Sequence, residues 1–360
     1  MLKSLAATSV LLLLMGAAPV IAQTAFGSDR PAYEQSAHQN ETGNTDNERA
    51  SDLLKSQVAS YQAFNSGNKT PYVSLSAADQ VHDMGAGLTI LAGDPYWERG
   101  GKSTFHDKQF QAVANAGFKT VRVPLAAFSH LKADGSLDET WLKKLDWVID
   151  EASRLNLTII LSEDDGDICS QDLTSCGPKL GTVWFDLSER YRTAPNNVVF
   201  ELLADAKSPI SNSVLNGWMP DLLAVARSDN ATRNIIVDPT VAGGVSDLTS
   251  FSPPDDSHLI VGVRYTAATA DAAAVTAHIG TFAAWSKGSG KPVLLAFGTT
   301  APAEGDRALW AQALTQAANG QGLGHIYLNY NDDLGVYDSA TGQWDEPVVA
   351  ALTSTGSAAQ

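Results

Sequence analysis

The sequence predicts a closed (β/α)8 barrel, on three observations: eight short apolar runs, helical-period segments between them, and a chain of matching size. The runs fall at 88–92, 119–124, 157–162, 198–204, 234–238, 259–264, 292–297 and 325–330, and are rich in Val, Ile and Leu. Several lack polar/apolar alternation, as strands covered on both faces do. Helical segments between such runs mark βα units around a parallel sheet. Eight units over roughly 280 residues suit a closed barrel. A doubly wound open sheet would carry a Gly-rich phosphate loop after its first strand, and this chain has none.

Ahead of the barrel, residues 1–22 hold one Lys, an apolar run centred on 10–15, and small residues ending at Ala22. This is the layout of a secretory signal peptide, with cleavage expected after Ala22. The unbroken apolar core is too short to span a bilayer, and no later stretch is both apolar and long enough. Export to the periplasm or the medium is therefore expected. Residues 23–50 are polar, nearly free of β-branched side chains, and read as a flexible linker. An N-terminal helical extension is expected over 51–73, its helix at 51–66 presenting Leu54, Val58 and Tyr61 on one face.

The barrel itself is expected to fill 74–356. Within it, Trp141, Leu142, Leu145, Val148, Ile149 and Ala152 mark one face of a helix over 138–154, with Asp138 as its N-cap. Gly117, Gly290 and Gly324 precede strands and are expected where helices stop.

Composition narrows the partners. The 360 residues carry 24 Lys+Arg against 40 Asp+Glu, a formal net charge of −16, which disfavours nucleic acid and anionic membranes. At 44% hydrophobic residues the chain can bury a large core, and a monomer is expected. Its 2 cysteines, Cys169 and Cys176, are seven positions apart in a Gly/Asp/Ser-rich stretch. In an exported protein they are expected to form a disulfide, since metal-ligand spacing and a nearby His are missing.

Cofactor chemistry finds no support. Gly288-Ser289-Gly290-Lys291 lacks the upstream Gly of a phosphate loop, where Trp285 stands, and Pro292 fills the Ser/Thr slot. No Gly-x-Ser-x-Gly nucleophile elbow occurs. The 7 His are scattered singly, so no zinc site is expected. Neither a cofactor nor a metal is anticipated.

Two acidic features remain. Glu163-Asp164-Asp165-Gly166-Asp167 follows the third run, at the end where a barrel keeps its active site. Calcium binding, acid/base work and a plain solvated loop are all open to it, although the spacing does not match a calcium loop. The second feature is 198–205, which carries Glu201 and Asp205. Strand alternation would place Glu201, Leu203 and Asp205 on one face, with Asp205 at the exit.

Several motifs in order resemble the cellulase-type barrels of glycoside hydrolase family 5. Met84-Gly85-Ala86-Gly87 resembles the approach to that family's first strand, and 117–124 (GFKTVRVP) its second, including an active-site arginine at Arg122. Phe200-Glu201-Leu202 resembles the fourth strand, and Lys291-Pro292-Val293 with Phe297-Gly298 the seventh. The segment 334–338 (LGVYD) with Trp344 resembles the closing stretch, so the likeness covers about 74–355.

The departures fall on the reaction centre. Where the resemblance implies Asn-Glu with an acid/base Glu, this chain has Ala204-Asp205; where it implies a nucleophilic Glu, Ala296 stands. Asp164 replaces a His after strand three, and Arg264 and Thr266 replace a His-x-Tyr on strand six. Thr89 stands for an Asn on strand one, and Leu328 approximates a Trp on strand eight. Retaining hydrolysis needs two carboxyls about 5–5.5 Å apart. No Asp or Glu lies between Lys291 and Ala303 to replace the missing one; Glu304 is the nearest downstream.

The expected function is an exported, non-hydrolytic relative that binds a β-glucan or another exopolysaccharide. Arg122, Arg264, Tyr96, Trp97 and Tyr330 are the candidate sugar contacts. Arg264 is expected to pair with Asp164 or Asp205 across the former centre, near Arg122. The alternative is an active endoglucanase-like hydrolase with Asp205 as acid and Asp164 as base, inverting at roughly 6.5–9.5 Å separation. A structural role in an envelope or polysaccharide-synthesis assembly is a third reading.

Overall fold

The computed structural model describes residues 49–58, 73–90, 107–243, 245–267, 271–299, 307–330, 335–338 and 340–354. Eight parallel strands form the barrel: β1 (Ala86–Thr89), β2 (Thr120–Leu125), β3 (Thr158–Glu163), β4 (Val198–Glu201), β5 (Ile235–Val237), β8 (Leu259–Ala267), β9 (Val293–Thr299) and β10 (Gly324–Tyr327). Sequential neighbours pair, β1 pairs with β10, and β5 pairs with β8 across a short hairpin of β6 (Val241–Ala242) and β7 (Val245–Ser246). The expected closed (β/α)8 barrel is what the chain forms, and each of the eight apolar runs overlaps one strand.

Helices cover the outside: α3 (Asp107–Asn115), α4 (Glu139–Arg154), α5 (Gly166–Gln171), α6 (Leu173–Arg190), α7 (Asn212–Arg227), α8 (Ala272–Ser289) and α9 (Arg307–Gly320). In α4 all six expected apolar residues are buried, and the Asp138 side chain accepts from the Trp141 N–H at its start. Gly290 ends α8 with φ 68°, a left-handed conformation that costs glycine little. A hairpin of β11 (Tyr337–Asp338) and β12 (Gln343–Trp344) and helix α10 (Glu346–Thr353) complete the barrel. Ahead of it, helix α1 spans 49–58 and buries Ala50, Leu54 and Val58, so residues 49 and 50 of the expected linker are helical. It lies directly on α6, where a Cβ at Gly181 would come within 2.8 Å of Leu54 Cδ1. Tyr61 and residues 1–48 lie outside the described residues.

The bottom of the barrel is plugged by α2 (Ala77–Met84), whose Ala77, Val81 and Met84 cluster with Ile160, Val199, Ile236, Ile260, Leu294 and Ile326. Gly324, expected to stop a helix, instead opens β10; a Cβ there would sit 2.7 Å from Val81 Cγ1, so the plug requires glycine. Side chains alternate along a strand. Those six aliphatic residues therefore fix which positions look inward above them. They are Ser162 then Asp164, Glu201, Asp238, Gly262 then Arg264, and Ala296 then Gly298.

Candidate active site at the barrel mouth

Arg122 rises from β2 into the barrel and clamps Glu201 of β4, with Nε donating to Oε2 at 2.6 Å and Nη2 to Oε1 at 3.0 Å. Both side chains are buried, 6% and 5% exposed, so this two-pronged pair is withdrawn from solvent. Sugar contact was expected of Arg122. The structure corrects that: its guanidinium lies beneath the mouth and is committed to Glu201. Asp238 borders Glu201, and burial, followed by the Glu201 charge, pushes its carboxyl well above the ordinary range. A side-chain interaction with Glu201 pushes it the same way, so Arg122, Glu201 and Asp238 form one buried stack. Gly262 makes this possible, since a Cβ on β8 there would overlap Asp238 Oδ1.

Above the stack lies a second charged layer. Arg264 Nη1 donates to Asp205 Oδ2, both half-exposed, and the Arg264 backbone N–H donates to Ser246 Oγ at 2.7 Å. This is the cross-mouth pairing that the sequence suggested. Asp205 arrives by a different route from the expected one. Strand β4 ends at Glu201, and Leu203 packs with Leu202 in the outer hydrophobic cluster instead of continuing Glu201's face. Alternation fails because the ladder has ended: Ala204 N–H is pinned to Glu163 O at 2.8 Å, and Asp205 adopts a left-handed φ of 51°. Asp is among the few residues that tolerate that region.

Asp164 is reachable by solvent at the foot of this concave mouth. The surrounding protein mass, with the charges of Asp205 and Glu201, outweighs Arg122 and Arg264 and pushes its carboxyl up to about 7. Two of the neighbouring acids are buried, while Asp167 is exposed. Glu163 is fully buried on the outer face of β3, raised by burial and by Asp165 beside it. Asp165 is 5% exposed and accepts from the Phe128 N–H at 2.7 Å. Among the described residues no group of His, Cys, Asp or Glu is arranged to hold a metal.

A carboxyl NMR titration of Asp164 is expected to show a midpoint near 7. Asp205→Asn removes a like charge and lowers that midpoint; Arg264→Ala removes a cation and raises it. A midpoint below 5 would contradict this electrostatic picture. The sign for stability follows: the folded pKa lies above the unfolded one, so this group's contribution falls as pH rises from about 4 to 7.

On β9, Ala296 faces inward, in register with Arg264 of β8 and Ile326 of β10. The strand carries no carboxylate, and Glu304 lies outside the described residues. Tyr96 and Trp97 also lie outside them. Tyr330 is corrected: it is 2% exposed, stacked on Tyr337 at 5.1 Å and edge-on to Trp344. The β11–β12 hairpin causes this, with Tyr337 N–H donating to Tyr330 O at 2.8 Å, so the ring is a packing element and offers no platform for a sugar. Cys169 and Cys176 form the expected disulfide, linking α5 to α6.

The family model for cellulases (glycosyl hydrolase family 5) matches residues 81–333, which contain every residue of this mouth. The chain belongs to the family 5 cellulases. Endoglucanase A of Clostridium longisporum is 28% identical over 171 residues, covering 42% of this chain and 33% of the relative. Endoglucanase H of Acetivibrio thermocellus is 24% identical over 307 residues, covering 77% of this chain and 34% of the relative. The chain thus spans about a third of the length of these two curated relatives. A solved endoglucanase superposes with a TM-score of 0.71 at 22% identity, over 77% of this chain and 99% of that one. At that identity the likeness carries the fold alone.

Against this family 5 frame, two contributors escaped sequence reasoning. Asp238 ends an apolar run, and Gly262 lies in the middle of another; a strand-terminal acid opposite a mid-strand glycine was the available signal. Asp205 accepts a hydrogen bond from Arg264, an acceptor's geometry, whereas Asp164 is the carboxyl driven towards keeping its proton.

Proposed function

We propose that this family 5 barrel binds a β-glucan or related exopolysaccharide at its mouth without hydrolysing it. The observation that carries the proposal is Ala296, a methyl group on the inward face of β9 beside the Arg264–Asp205 pair. Covalent capture of a glycosyl group needs a carboxylate there, about 5–5.5 Å from the acid/base carboxyl. Asp205 is a methylene shorter than Glu and is engaged with Arg264, which leaves it poorly placed to protonate a leaving oxygen. Export supports a polysaccharide partner: the first 22 residues have the pattern of a signal peptide, and a disulfide persists in oxidising compartments.

Calorimetric titration with soluble β-glucans is expected to show saturable binding. An Arg264→Ala protein, stripped of a half-exposed cation at the mouth, should bind the same glucan at least tenfold more weakly. Heat from none of a panel of glucans and mannans would sink the reading. One observation favours residual activity instead: a carboxyl near 7, as on Asp164, suits proton donation at neutral pH. In that second reading Asp164 is the donor and Asp205 the base of an inverting hydrolysis.

A further inference from the structure

Beyond the mouth, a cleft of about 770 Å³ opens between the loop that follows β4 and the β6–β7 hairpin. That volume is typical of small-ligand sites. It begins two residues after Asp205, but Arg122, Asp164, Asp205 and Arg264 are all absent from its lining. We propose that this cleft is a second carbohydrate site, taking a short, uncharged oligosaccharide.

The lining chemistry selects the ligand class. Hydroxyls come from Ser208, Ser211, Ser213, Thr240 and Ser250, while Pro209, Ile210, Val241 and Ala242 supply apolar surface for the C–H faces of sugar rings. The two charged side chains are engaged: Lys207 Nζ lies 2.9 Å from Asp167, and Asp247 Oδ1 accepts from the Thr249 N–H at 2.9 Å. An anionic ligand would thus meet no spare cation, whereas a polyol meets both donors and acceptors.

The cleft is also built to stay open. Asn212 is 3% exposed, and its amide staples the opposing walls. Oδ1 accepts from Thr240 N–H at 2.8 Å and from Thr240 Oγ1 at 3.1 Å. Nδ2 donates to Asp247 O at 2.7 Å and to Ser250 Oγ at 3.2 Å. Asn216 repeats the pattern one turn on, donating to Ser250 O and accepting from Ser252 N–H, both at 2.9 Å. Walls braced in this way reduce the ordering cost of binding. The Ser208 and Ser213 hydroxyls are exposed and make no hydrogen bond to a described residue, so a ligand can reach them.

Cellotetraose titrated into the isotopically labelled protein tests this directly. Backbone amides of 208, 210–213 and 240–243 are expected to shift saturably. Ala242→Trp and Ser213→Trp, both at exposed lining positions, should each weaken that response at least tenfold while leaving the fold's other signals in place. The Arg122 and Arg264 Nε–H signals report the mouth separately, so failure at the mouth is not failure here. Unmoved cleft amides, an undiminished response in both Trp variants, or displacement of the sugar by a neutral Pro/Ser-containing peptide would each overturn the proposal.

Discussion

An Arg122→Met protein is expected to unfold with about 3–5 kcal/mol less stability than the wild type, because removing one partner strands a buried charge. Glu201 is 4% exposed and has both oxygens on Arg122. Without that cation, Glu201 would face Asp238 in a barrel interior floored by aliphatic side chains. The layer would then hold a buried carboxylate with no cation beside it and would have to reorganise. Glu201→Gln is expected to destabilise as well, and the double variant by less than the two losses added, the mark of a direct pair. Urea unfolding of the four proteins measures the cycle. A loss below about 1 kcal/mol for Arg122→Met would place this pair among weak surface contacts and contradict its structural role.

The second large effect is steric. Gly262→Ala introduces a methyl that overlaps Asp238 Oδ1 and comes within 2.9 Å of Ile236 Cγ2. Barrel strands on both sides fix the backbone of β8, through pairings with β5 and β9. Relief must therefore come from displacing Asp238, and overpacking of this kind costs about 1–3 kcal/mol. Removing the obstructing carboxylate with Asp238→Ala in the same chain should recover much of that loss. Costs that simply add within about 0.5 kcal/mol would show the two positions to be independent and sink the stacking account of Asp238.

What the sequence made legible follows from the range of the interactions involved. The eight strands, the α4 face and its Asp138 cap depend on neighbours within a few residues, so periodicity and capping chemistry reveal them. The Arg264–Asp205 pair was legible through the family's ordered motifs, which set both residues at the same end of the barrel. Asp238 was not, because its meaning depends on a glycine on another strand and on a carboxylate clamped by a third. Tyr330 misled for a similar reason: an aromatic at the end of a barrel strand suits a sugar platform until the β11–β12 hairpin folds over it. Leu203 shows the limit of alternation, which holds only while the ladder lasts and ends with Glu201.

The most direct measurement is release of reducing ends from β-1,4-linked and mixed-linkage glucans, followed with the wild type and Asp205→Asn side by side. On the proposed reading, in which Ala296 stands where a nucleophile would and Asp205 is held by Arg264, both proteins should leave the polymers intact at concentrations that saturate binding. Steady release by the wild type that disappears in Asp205→Asn would show a working pair of carboxyls at the mouth and contradict a binding protein without hydrolysis.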